Sequence, residues 1–534
     1  MAASNVSKER LLSTQTIQRS VDLLKTWGQV SLSTGQTLAE SLSVGGVSLW
    51  EVILPYLALY RLPELISPEG HPRRRAWRKW VRDRIRVYRG WAGRLCDELL
   101  LRRIPLAADC SRWPAGQRTI LFLNFWPLFY RETFQAVAER LADQDRVSTV
   151  VLSGKQSTPE MPTRTRIQFH ALAGHIVPSV LVRARDYGQM IWRAERALRP
   201  ELPGILRHEG NSLWPVLRLE FEWLFRAEIP RLTQQVALAE HVLDQHRPAL
   251  VVSPDDADRG RIYTLLAKSR NIPSLVVQQG SINEKAMEWQ CLTADAIAVF
   301  GPKSRDALHR HGVPPERIQV TGCPRFDVLT QPSSEVARQV RAELGIREGY
   351  PMVLFASQPY VYGAFASVEA RREMLSAVGQ VIAAVDNIIL VVKAHPTEGD
   401  EDLRTLIGDG SRIIYVDRRK DIQNLIRACD VFITFFSTSG LQALIAGKPI
   451  ISVRFPGSGS DNLYGDSGTG WVAASPNELV KHLRLLTGPG RNQAMAEREP
   501  ARQRFIYEWT NRSDGRAAER VAEMVLKLSG LAEH

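Results

Sequence analysis

The stretch VFITFFSTSGLQALIAGKPIISV, from Val431 to Val453, predicts a buried strand, a turn, a helix and a second buried strand. The turn brings four small residues to the start of the helix: Ser437, Thr438, Ser439 and Gly440. Unpaired backbone N–H groups, short hydroxyls and the helix dipole attract a phosphate there, and Gly440 would let the backbone approach it closely. The alternative is an ordinary helix cap, which also prefers serine and threonine. Three consecutive hydroxyl residues and a glycine exceed what a cap needs, so we favour a phosphate site.

Apolar segments with strand character alternate with helical segments around this stretch. They are MVLFAS, NIILVVKA, RIIYVD, VFITFF and PIISVRF, at residues 352–357, 387–394, 412–417, 431–436 and 449–455. Buried strands separated by helices indicate a parallel sheet that is covered on both faces. The segment KAHP, Lys393–Pro396, ends one of these strands, so we expect His395 at the same sheet edge as the turn. There His395 could donate to a phosphate oxygen or pass a proton to a leaving group.

The same alternation occurs earlier in the chain. Strands are predicted at TILFLNF, STVVLSG, ALVVSP and SLVVQQG, residues 119–125, 148–154, 249–254 and 274–280, with a helix at about 128–143. The fold class is therefore α/β, with two Rossmann-like, doubly wound domains that face a cleft. We predict a helical accessory region at residues 1–110, an acceptor domain at 111–330, a nucleotide-donor domain at 331–505 and a final helix within 506–534.

The loop PDDADRG, residues 254–260, follows a strand directly and carries clustered carboxylates. One of Asp255 and Asp256 is the best candidate for the base that deprotonates an acceptor hydroxyl, because neighbouring carboxylates raise one another's pKa. The alternative is a solvated loop, and the pattern does not choose between the two aspartates. His170 and His175 are weaker candidates, because neither follows a clear strand end.

The front of the chain carries a basic, tryptophan-rich segment. Between Arg73 and Arg103 there are 12 basic and 3 acidic residues, a local charge of +9 within a net charge of +12. On a helix, one stripe would hold the apolar and aromatic residues Trp77, Trp80, Val81, Ile85, Tyr88, Trp91 and Leu95. Such a helix is typical of a segment that lies at an anionic membrane surface. The alternative is a stripe that docks on the protein body or on a second subunit. No motif for binding nucleic acid accompanies the segment.

Composition sets the remaining limits. The chain has 534 residues, of which 44% are hydrophobic and 24% charged, as expected for a globular protein of two or three domains. The five cysteines include no CxxC pair, which argues against a disulfide framework and favours a reducing cytosol. No secretory signal and no membrane-spanning stretch is predicted.

The ordered set of motifs resembles the GT-B superfamily of nucleotide-sugar enzymes. The resemblance is to the surface-polysaccharide branch, which includes CDP-glycerol glycerophosphotransferases, capsule Kdo and sialic acid transferases, and UDP-N-acetylglucosamine 2-epimerases. It rests on IPSLVVQQG, GVPPERIQVTGCPRFDVL (residues 312–329), KAHP, STSGLQALIAGKP and DGRAAERV. In these families the His-Pro pair and the Ser/Thr turn hold the donor phosphate, roles that the resemblance assigns to His395, Ser437, Thr438 and Ser439.

The resemblance also implies the remaining site residues, with two departures from the family pattern. Many glycerophosphotransferase-like relatives carry a histidine before the glycine where this chain has Gln279 and Gly280, which weakens a polyol-phosphate interpretation. Gln442 stands where relatives often carry a glutamate that binds the donor ribose, and its amide lacks the charge-assisted strength of a carboxylate. Pro324 and Arg325, with Gln279 and Gly280, would lie at the cleft and hinge.

These observations predict a glycosyltransferase at the cytoplasmic face of the membrane. It would transfer a sugar from a nucleotide-sugar donor to a capsule-like surface glycan or a lipid-linked acceptor, with no cofactor. No divalent metal is expected, because no acidic pair of the DxD type follows a strand in the second domain. The alternatives are a UDP-sugar 2-epimerase-like isomerase, a CDP-glycerol-type polyol-phosphate transferase and a non-catalytic nucleotide-binding scaffold.

Overall fold

The structure is a computed structural model that describes residues 14–66, 117–125, 130–154, 167–280, 282, 287–331, 334–360, 367–395, 398, 400–435, 437–455 and 463–532. The chain divides into two units. The first consists of residues 1–321 and 518–534, and the second of residues 322–517. The division follows Thr321, before the predicted boundary at residue 330, and most of the last helix belongs to the first unit.

The first unit contains a sheet of seven parallel strands: Arg118–Asn124 (β1), Val147–Ser153 (β2), Ile167–Ala171 (β3), Leu250–Ser253 (β4), Ser274–Val277 (β5), Ala296–Val299 (β6) and Ile318–Val320 (β7). Their order across the sheet is β3-β2-β1-β4-β5-β6-β7. The order reverses between β1 and β4, which is the doubly wound Rossmann arrangement. Two short antiparallel hairpins accompany the sheet, Ser43–Val44 with Val47–Ser48 and Arg207–His208 with Asn211–Ser212.

The second unit contains a sheet of six parallel strands: Met352–Ala356 (β8), Ile389–Lys393 (β9), Ile413–Val416 (β10), Val431–Thr434 (β11), Ile450–Val453 (β12) and Trp471–Ala473 (β13). Their order across the sheet is β10-β9-β8-β11-β12-β13. The order reverses between β8 and β11, so this sheet repeats the Rossmann arrangement of the first unit. The predicted fold class, α/β with two doubly wound Rossmann-like sheets, is confirmed.

Helices connect the strands of both units. Those up to the end of the first sheet are Thr14–Gly28 (α1), Leu38–Ser41 (α2), Leu49–Tyr60 (α3), Pro63–Ile66 (α4), Gln135–Ala142 (α5), Pro178–Leu198 (α6), Leu202–Ile205 (α7), Trp214–Trp223 (α8), Ile229–His246 (α9), Asp258–Ser269 (α10) and Pro302–Arg310 (α11). The later helices are Ser334–Glu343 (α12), Val368–Ala384 (α13), Asp400–Ile407 (α14), Ile422–Ala428 (α15), Ser439–Ile445 (α16), Leu463–Asp466 (α17), Pro476–Thr487 (α18), Arg491–Thr510 (α19) and Ala517–Leu528 (α20).

Short helical turns of other types lie between these helices. Two π-helical turns, Tyr130–Phe134 and Leu224–Glu228, precede α5 and α9. Four 3₁₀ turns are Leu172–His175, Met287–Cys291, Pro315–Arg317 and Pro324–Thr330.

The described part of the predicted accessory region, residues 14–66, is mainly helical and packs into the core of the first unit. Leu24 and Trp50 belong to the same buried cluster as Leu121 of β1. The Trp50 indole N–H donates to the Leu24 carbonyl at 3.1 Å, and the Trp27 indole N–H donates to the Arg207 carbonyl at 3.1 Å. Buried Trp side chains need such partners. The first bond joins α3 to α1, and the second joins α1 to the hairpin that contains Arg207. The basic segment 73–103 lies outside the described residues.

The last helix, α20, completes the core of the first unit. Val521 and Val525 are fully buried in one cluster with Ile120 and Phe122 of β1. The Arg118 guanidinium donates to the Ser529 carbonyl at 3.1 Å, which ties the start of β1 to the end of the chain.

Among the described helices, none combines the length and the apolar character needed to cross a bilayer. Three cysteines, Cys291, Cys323 and Cys429, are buried free thiols. Burial raises the pKa of Cys323 and of Cys429 to about 12, which keeps both as unreactive thiols at neutral pH. Cys96 and Cys110 lie outside the described residues.

Candidate active site

The candidate donor site lies at the carboxyl edge of the second sheet. The strand order reverses between β8 and β11, and ligands of doubly wound sheets bind outside the strand ends at that point. Ser357 and Gln358 follow β8, the turn 437–440 follows β11, and His395 follows β9, which pairs with β8. The Thr434 hydroxyl donates weakly to Gln358 Oε1 at 3.4 Å, so the ends of β11 and β8 are in contact.

The Ser/Thr turn is built around Ser437. Its Oγ accepts from the Ser439 backbone N–H at 3.2 Å and from the Ser439 hydroxyl at 2.7 Å, while its carbonyl accepts from the Gly440 N–H at 3.0 Å. Ser437 thus performs the capping role that was the alternative for this turn. Thr438 is exposed, and its side chain makes no capping hydrogen bond. A phosphate is therefore best served by the exposed Thr438 hydroxyl, because the N–H groups of Ser439, Gly440 and Leu441 already donate within the turn.

Gly440 has a different structural role from the one that the sequence suggested. A Cβ atom at this position would lie 2.5 Å from Cζ and 2.6 Å from the hydroxyl oxygen of Tyr464. Tyr464 is 1% exposed, and its hydroxyl donates to the Ser437 carbonyl at 2.5 Å. The lack of a side chain at Gly440 thus makes room for the tyrosine that supports the turn, so a substitution of Gly440 would disturb the fold as well as any ligand.

His395 is held by a buried carboxylate that sequence reasoning missed. Glu398 Oε2 accepts from the His395 backbone N–H at 2.9 Å, and Glu398 Oε1 accepts from the Ser357 hydroxyl at 3.0 Å. Arg371 of α13 forms an ion pair with the same carboxylate. Glu398 therefore ties the ends of β8 and β9 together. The sequence shows that Glu398 follows His395 by three residues, but it does not reveal the contact of Glu398 with Arg371. Pro396 lies outside the described residues.

Gln442, the candidate ribose ligand, lies one turn into α16. Its side chain is 8% exposed, and its Oε1 atom is buried without a hydrogen-bond partner among the described residues. A buried acceptor without a donor costs about 1–3 kcal/mol. A ligand hydroxyl that donates to this oxygen would recover that cost, which suits the predicted contact with a ribose.

The two aspartates of the acidic loop have different environments at the end of β4. Asp256 is buried and pairs with the buried Arg261 at 3.0 Å. Its carboxylate also accepts from the Thr264 hydroxyl at 3.0 Å and from the Thr293 backbone N–H and hydroxyl, both at 2.6 Å. These contacts make Asp256 a structural carboxylate rather than a base. Asp255 is half-buried, and its Oδ1 accepts from the Ala257 N–H at 3.2 Å. It remains the candidate base.

The two alternative bases, His170 and His175, are packed together with His246. The ring centroids of His175 and His246 are 5.0 Å apart, and those of His170 and His246 are 5.1 Å apart. Burial lowers the pKa of His175 to about 4 and that of His246 to about 3, and it also lowers the pKa of His170. These rings are thus neutral at physiological pH.

The residues predicted for the cleft and hinge are divided between the units. Gln279 and Gly280 follow β5 in the first unit, whereas Pro324 and Arg325 begin a 3₁₀ turn in the second. The Arg325 carbonyl accepts from the Gln423 amide at 2.7 Å, so its backbone helps to fix that turn. The predicted cleft between the domains remains a prediction.

Solved structures of low sequence identity resemble the chain. A UDP-N-acetylglucosamine 2-epimerase aligns at 14% identity with a TM-score of 0.49, covering 78% of this chain and 98% of that chain. The UDP-GlcNAc 2-epimerase from Neisseria meningitidis aligns at 12% identity with a TM-score of 0.46, covering 77% and 100%. The wall teichoic acid polymerase TagF aligns at 12% identity with a TM-score of 0.47, covering 78% and 90%. No curated protein sequence matches the chain.

A family model matches the chain from the end of β5 to α20. Its description is "CDP-Glycerol:Poly(glycerophosphate) glycerophosphotransferase", and it covers residues 278–527. Those residues include the turn 437–440, His395 and Gln442, but not the acidic loop. The match confirms the resemblance to surface-polymer transferases that the motifs predicted, and over residues 278–527 the chain is similar to CDP-glycerol:poly(glycerophosphate) glycerophosphotransferases.

Proposed function

We propose that this protein is a glycosyltransferase that moves a sugar from a nucleotide-linked donor to a growing surface glycan or a lipid-linked acceptor. The observation that carries the proposal is the position of the turn 437–440, His395 and Gln442 along the carboxyl edge of the second sheet, at or next to the point where its strand order reverses. The family match to a nucleotide-linked transferase supports it. The proposed reaction uses no divalent metal.

The reaction needs stabilisation of a departing phosphate. In sugar transfer the acceptor hydroxyl attacks the anomeric carbon, and the bond from that carbon to the donor phosphate oxygen breaks. The nucleoside diphosphate leaves with the bonding electrons, and the acceptor proton passes to a base, for which we propose Asp255. The N-terminus of α16, the Thr438 hydroxyl and His395 would bind the negative charge that develops on the leaving group.

Glycerophosphate transfer is the second candidate, and the family match favours it. Here the acceptor hydroxyl attacks phosphorus, the pyrophosphate P–O bond breaks, and CMP leaves. The same strand ends would bind the leaving phosphate. Gln279 argues against this candidate, because many relatives of this type carry a histidine at that place.

The released nucleotide distinguishes these reactions. Purified full-length protein is incubated with a lipid-linked glycan acceptor and, in separate reactions, with UDP-, GDP-, CMP- or dTDP-linked sugars or with CDP-glycerol, and the nucleotide products are separated by chromatography. Sugar transfer releases a nucleoside diphosphate from a UDP-, GDP- or dTDP-sugar and CMP from a CMP-sugar, whereas glycerophosphate transfer releases CMP from CDP-glycerol. The donor that is consumed and its nucleotide product together identify the reaction. An isomerised nucleotide sugar with no released nucleotide would indicate a 2-epimerase-like enzyme. Nucleotide binding with no product from any donor would indicate a non-catalytic scaffold.

Removing single contacts of the donor site should weaken nucleotide binding. We expect Gln442→Leu to lower affinity by roughly 5- to 150-fold, equivalent to about 1–3 kcal/mol, because the ligand hydroxyl would lose its acceptor, Oε1. Without nucleotide, the same variant should be as stable as the wild type or more stable, because it no longer has the buried, unpaired Oε1 atom of Gln442. Ser439→Ala should also weaken binding. The measurement is a thermal-shift titration with CMP, CDP, UDP, GDP and dTDP, since a ligand at 100 times its Kd stabilises by about 2.7 kcal/mol.

Ser475→Ala is the matched control for the donor-site variants. Ser475 caps α18 in the same unit, where its side chain accepts from the Glu478 N–H at 3.3 Å. Its loss should lower stability by about 1 kcal/mol without changing nucleotide affinity. Wild-type affinity in both Gln442→Leu and Ser439→Ala would remove the donor-site assignment.

The basic segment at residues 73–103 is proposed to hold the protein at an anionic membrane surface. Replacing Arg73, Arg74, Arg75, Arg78 and Lys79 by Gln should reduce binding to vesicles that contain phosphatidylglycerol. Each basic residue near such a surface contributes about 1 kcal/mol, and salt screens that attraction. Co-sedimentation at low and high salt measures the effect.

A control variant with the same change in net charge shows whether the effect belongs to this segment or to the positive charge of the protein as a whole. It replaces five arginines at exposed positions of α6, α8, α11 and α12: Arg185, Arg193, Arg218, Arg305 and Arg338. An equal loss of vesicle binding in the two five-residue variants, or no vesicle binding by the wild type at low salt, would favour the alternative in which the segment docks on protein.

A further inference from the structure

Three histidines from three elements of the first unit meet in one cluster. His170 lies on the edge strand β3, His175 ends the 3₁₀ turn Leu172–His175, and His246 is the last residue of α9. The Nε2 atoms of His175 and His246 are 3.5 Å apart, and one ring nitrogen from each of the three residues lies within 4.8 Å of the others. The proposed donor chemistry uses none of them.

The spacing of these nitrogens suits a small transition-metal ion. Two ligands of a tetrahedral Zn²⁺ ion, each at about 2.0–2.1 Å, are separated by about 3.3–3.4 Å. His175 and His246 already have nearly this separation. His170 must move closer to the other two rings, and its Nε2 atom now lies 3.4 Å from Gln168 Oε1.

The second ring nitrogen of His175 is oriented as in known metal sites. Nδ1 of His175 lies 2.9 Å from Oε1 of Gln245, and an amide oxygen accepts hydrogen bonds only. Nδ1 therefore carries the hydrogen, and the lone pair of Nε2 faces His246. Metal-bound histidines almost always donate their other N–H group in this way, which fixes the tautomer.

Burial and charge also fit a metal site. His175 and His246 are 1% and 3% exposed, so both rings are held away from water. Imidazole nitrogens suit Zn²⁺, Cu²⁺ and Ni²⁺, whereas Mg²⁺ and Ca²⁺ require oxygen ligands. The half-buried His170 leaves a route from solvent to the cluster.

We propose that His170, His175 and His246 bind one Zn²⁺ ion, with water in the fourth coordination position. The ion would join the edge strand β3 to the end of α9 and so stabilise the first unit. Gln245 is the positioning residue, because it fixes the tautomer of His175.

The test is zinc binding by full-length protein without an affinity tag, after removal of metals with a chelator. Isothermal titration should show one equivalent of Zn²⁺, and elemental analysis after gel filtration should find one zinc per chain. Zinc should raise the unfolding temperature, Mg²⁺ should not, and Co²⁺ should give the visible absorption of a tetrahedral site. His170→Gln should abolish the binding, and Gln245→Leu should weaken it by about 10- to 100-fold.

His309→Gln is the matched control, because His309 is exposed on α11 of the same unit. It should bind zinc like the wild type. The His170→Gln variant decides the question even if changes at the buried His175 or His246 disturb folding, since His170 is only half-buried and circular dichroism can verify its fold. No stoichiometric binding by the wild type, or undiminished binding by His170→Gln, would overturn the proposal.

Discussion

His395→Ala is expected to lower the turnover of the transfer reaction by about 10²- to 10⁴-fold if His395 passes a proton to the leaving phosphate. The loss would be smaller if this residue only binds the phosphate. His395 is half-buried at the end of β9, and its backbone is fixed through Glu398 next to the end of β8. The measurement is kcat with the donor that proves active.

His482→Ala is the control for this substitution. His482 is a half-buried histidine of the same unit, and its Nε2 atom lies 2.9 Å from the Val472 carbonyl, on α18 rather than at the candidate site. Its loss should leave turnover unchanged. Wild-type turnover in His395→Ala, with an unchanged unfolding temperature, would assign His395 a purely structural role.

Asp256→Asn is expected to destabilise the first unit by about 3–5 kcal/mol, because it removes one partner of a buried ion pair and leaves the Arg261 charge without compensation. Urea unfolding followed by circular dichroism measures the change. Asp244→Asn is the matched control. The ion pair of Asp244 with Arg270 at 2.9 Å is largely exposed, and such pairs contribute about 0–1 kcal/mol.

Asp255→Asn tests the chemistry of the same loop. This substitution should leave the free energy of unfolding close to that of the wild type, because the Asp255 side chain is half-buried and an asparagine can still accept from the Ala257 N–H. It should abolish transfer without changing donor affinity if Asp255 is the base. A stable, fully active Asp255→Asn variant would exclude that role, and a stable Asp256→Asn variant would contradict the structural role of Asp256.

Most of the strands that sequence predicted have continuous apolar burial; the exception is β10, an edge strand in which only Val416 is buried. All residues of β2, β4, β5, β8, β11 and β12 are buried, and each lies within or overlaps its predicted segment. The strands that were not predicted are β3, β6, β7 and β13. Three of them are only partly buried and lie at sheet edges, where polar residues such as Gln168 and Gln319 interrupt the apolar pattern. The fourth, β6, has only four residues, two of which are alanine.

The candidate site was predictable only where its residues directly follow a predicted strand, as His395 and the turn 437–440 do. The turn 437–440 follows one strand directly and was found. The ion pair between Arg371 and Glu398 joins α13 to the loop after β9, and no local pattern reveals such a contact. The role of Gly440 depends on Tyr464, which comes much later in the chain. The histidine cluster was missed for the same reason, because His246 lies on a helix remote in sequence from His170.

The return of α20 to the first unit has a consequence for biosynthesis. The second unit is one continuous segment, residues 322–517, so all of it has been translated before α20 appears. The first unit lacks Val521 and Val525 of its core until the ribosome has made the second unit and α20. Domains generally fold in the order of their synthesis. Here the second unit can complete its core first, because Ile120 and Phe122 of β1 lack their contacts with Val521 and Val525 until α20 has been translated.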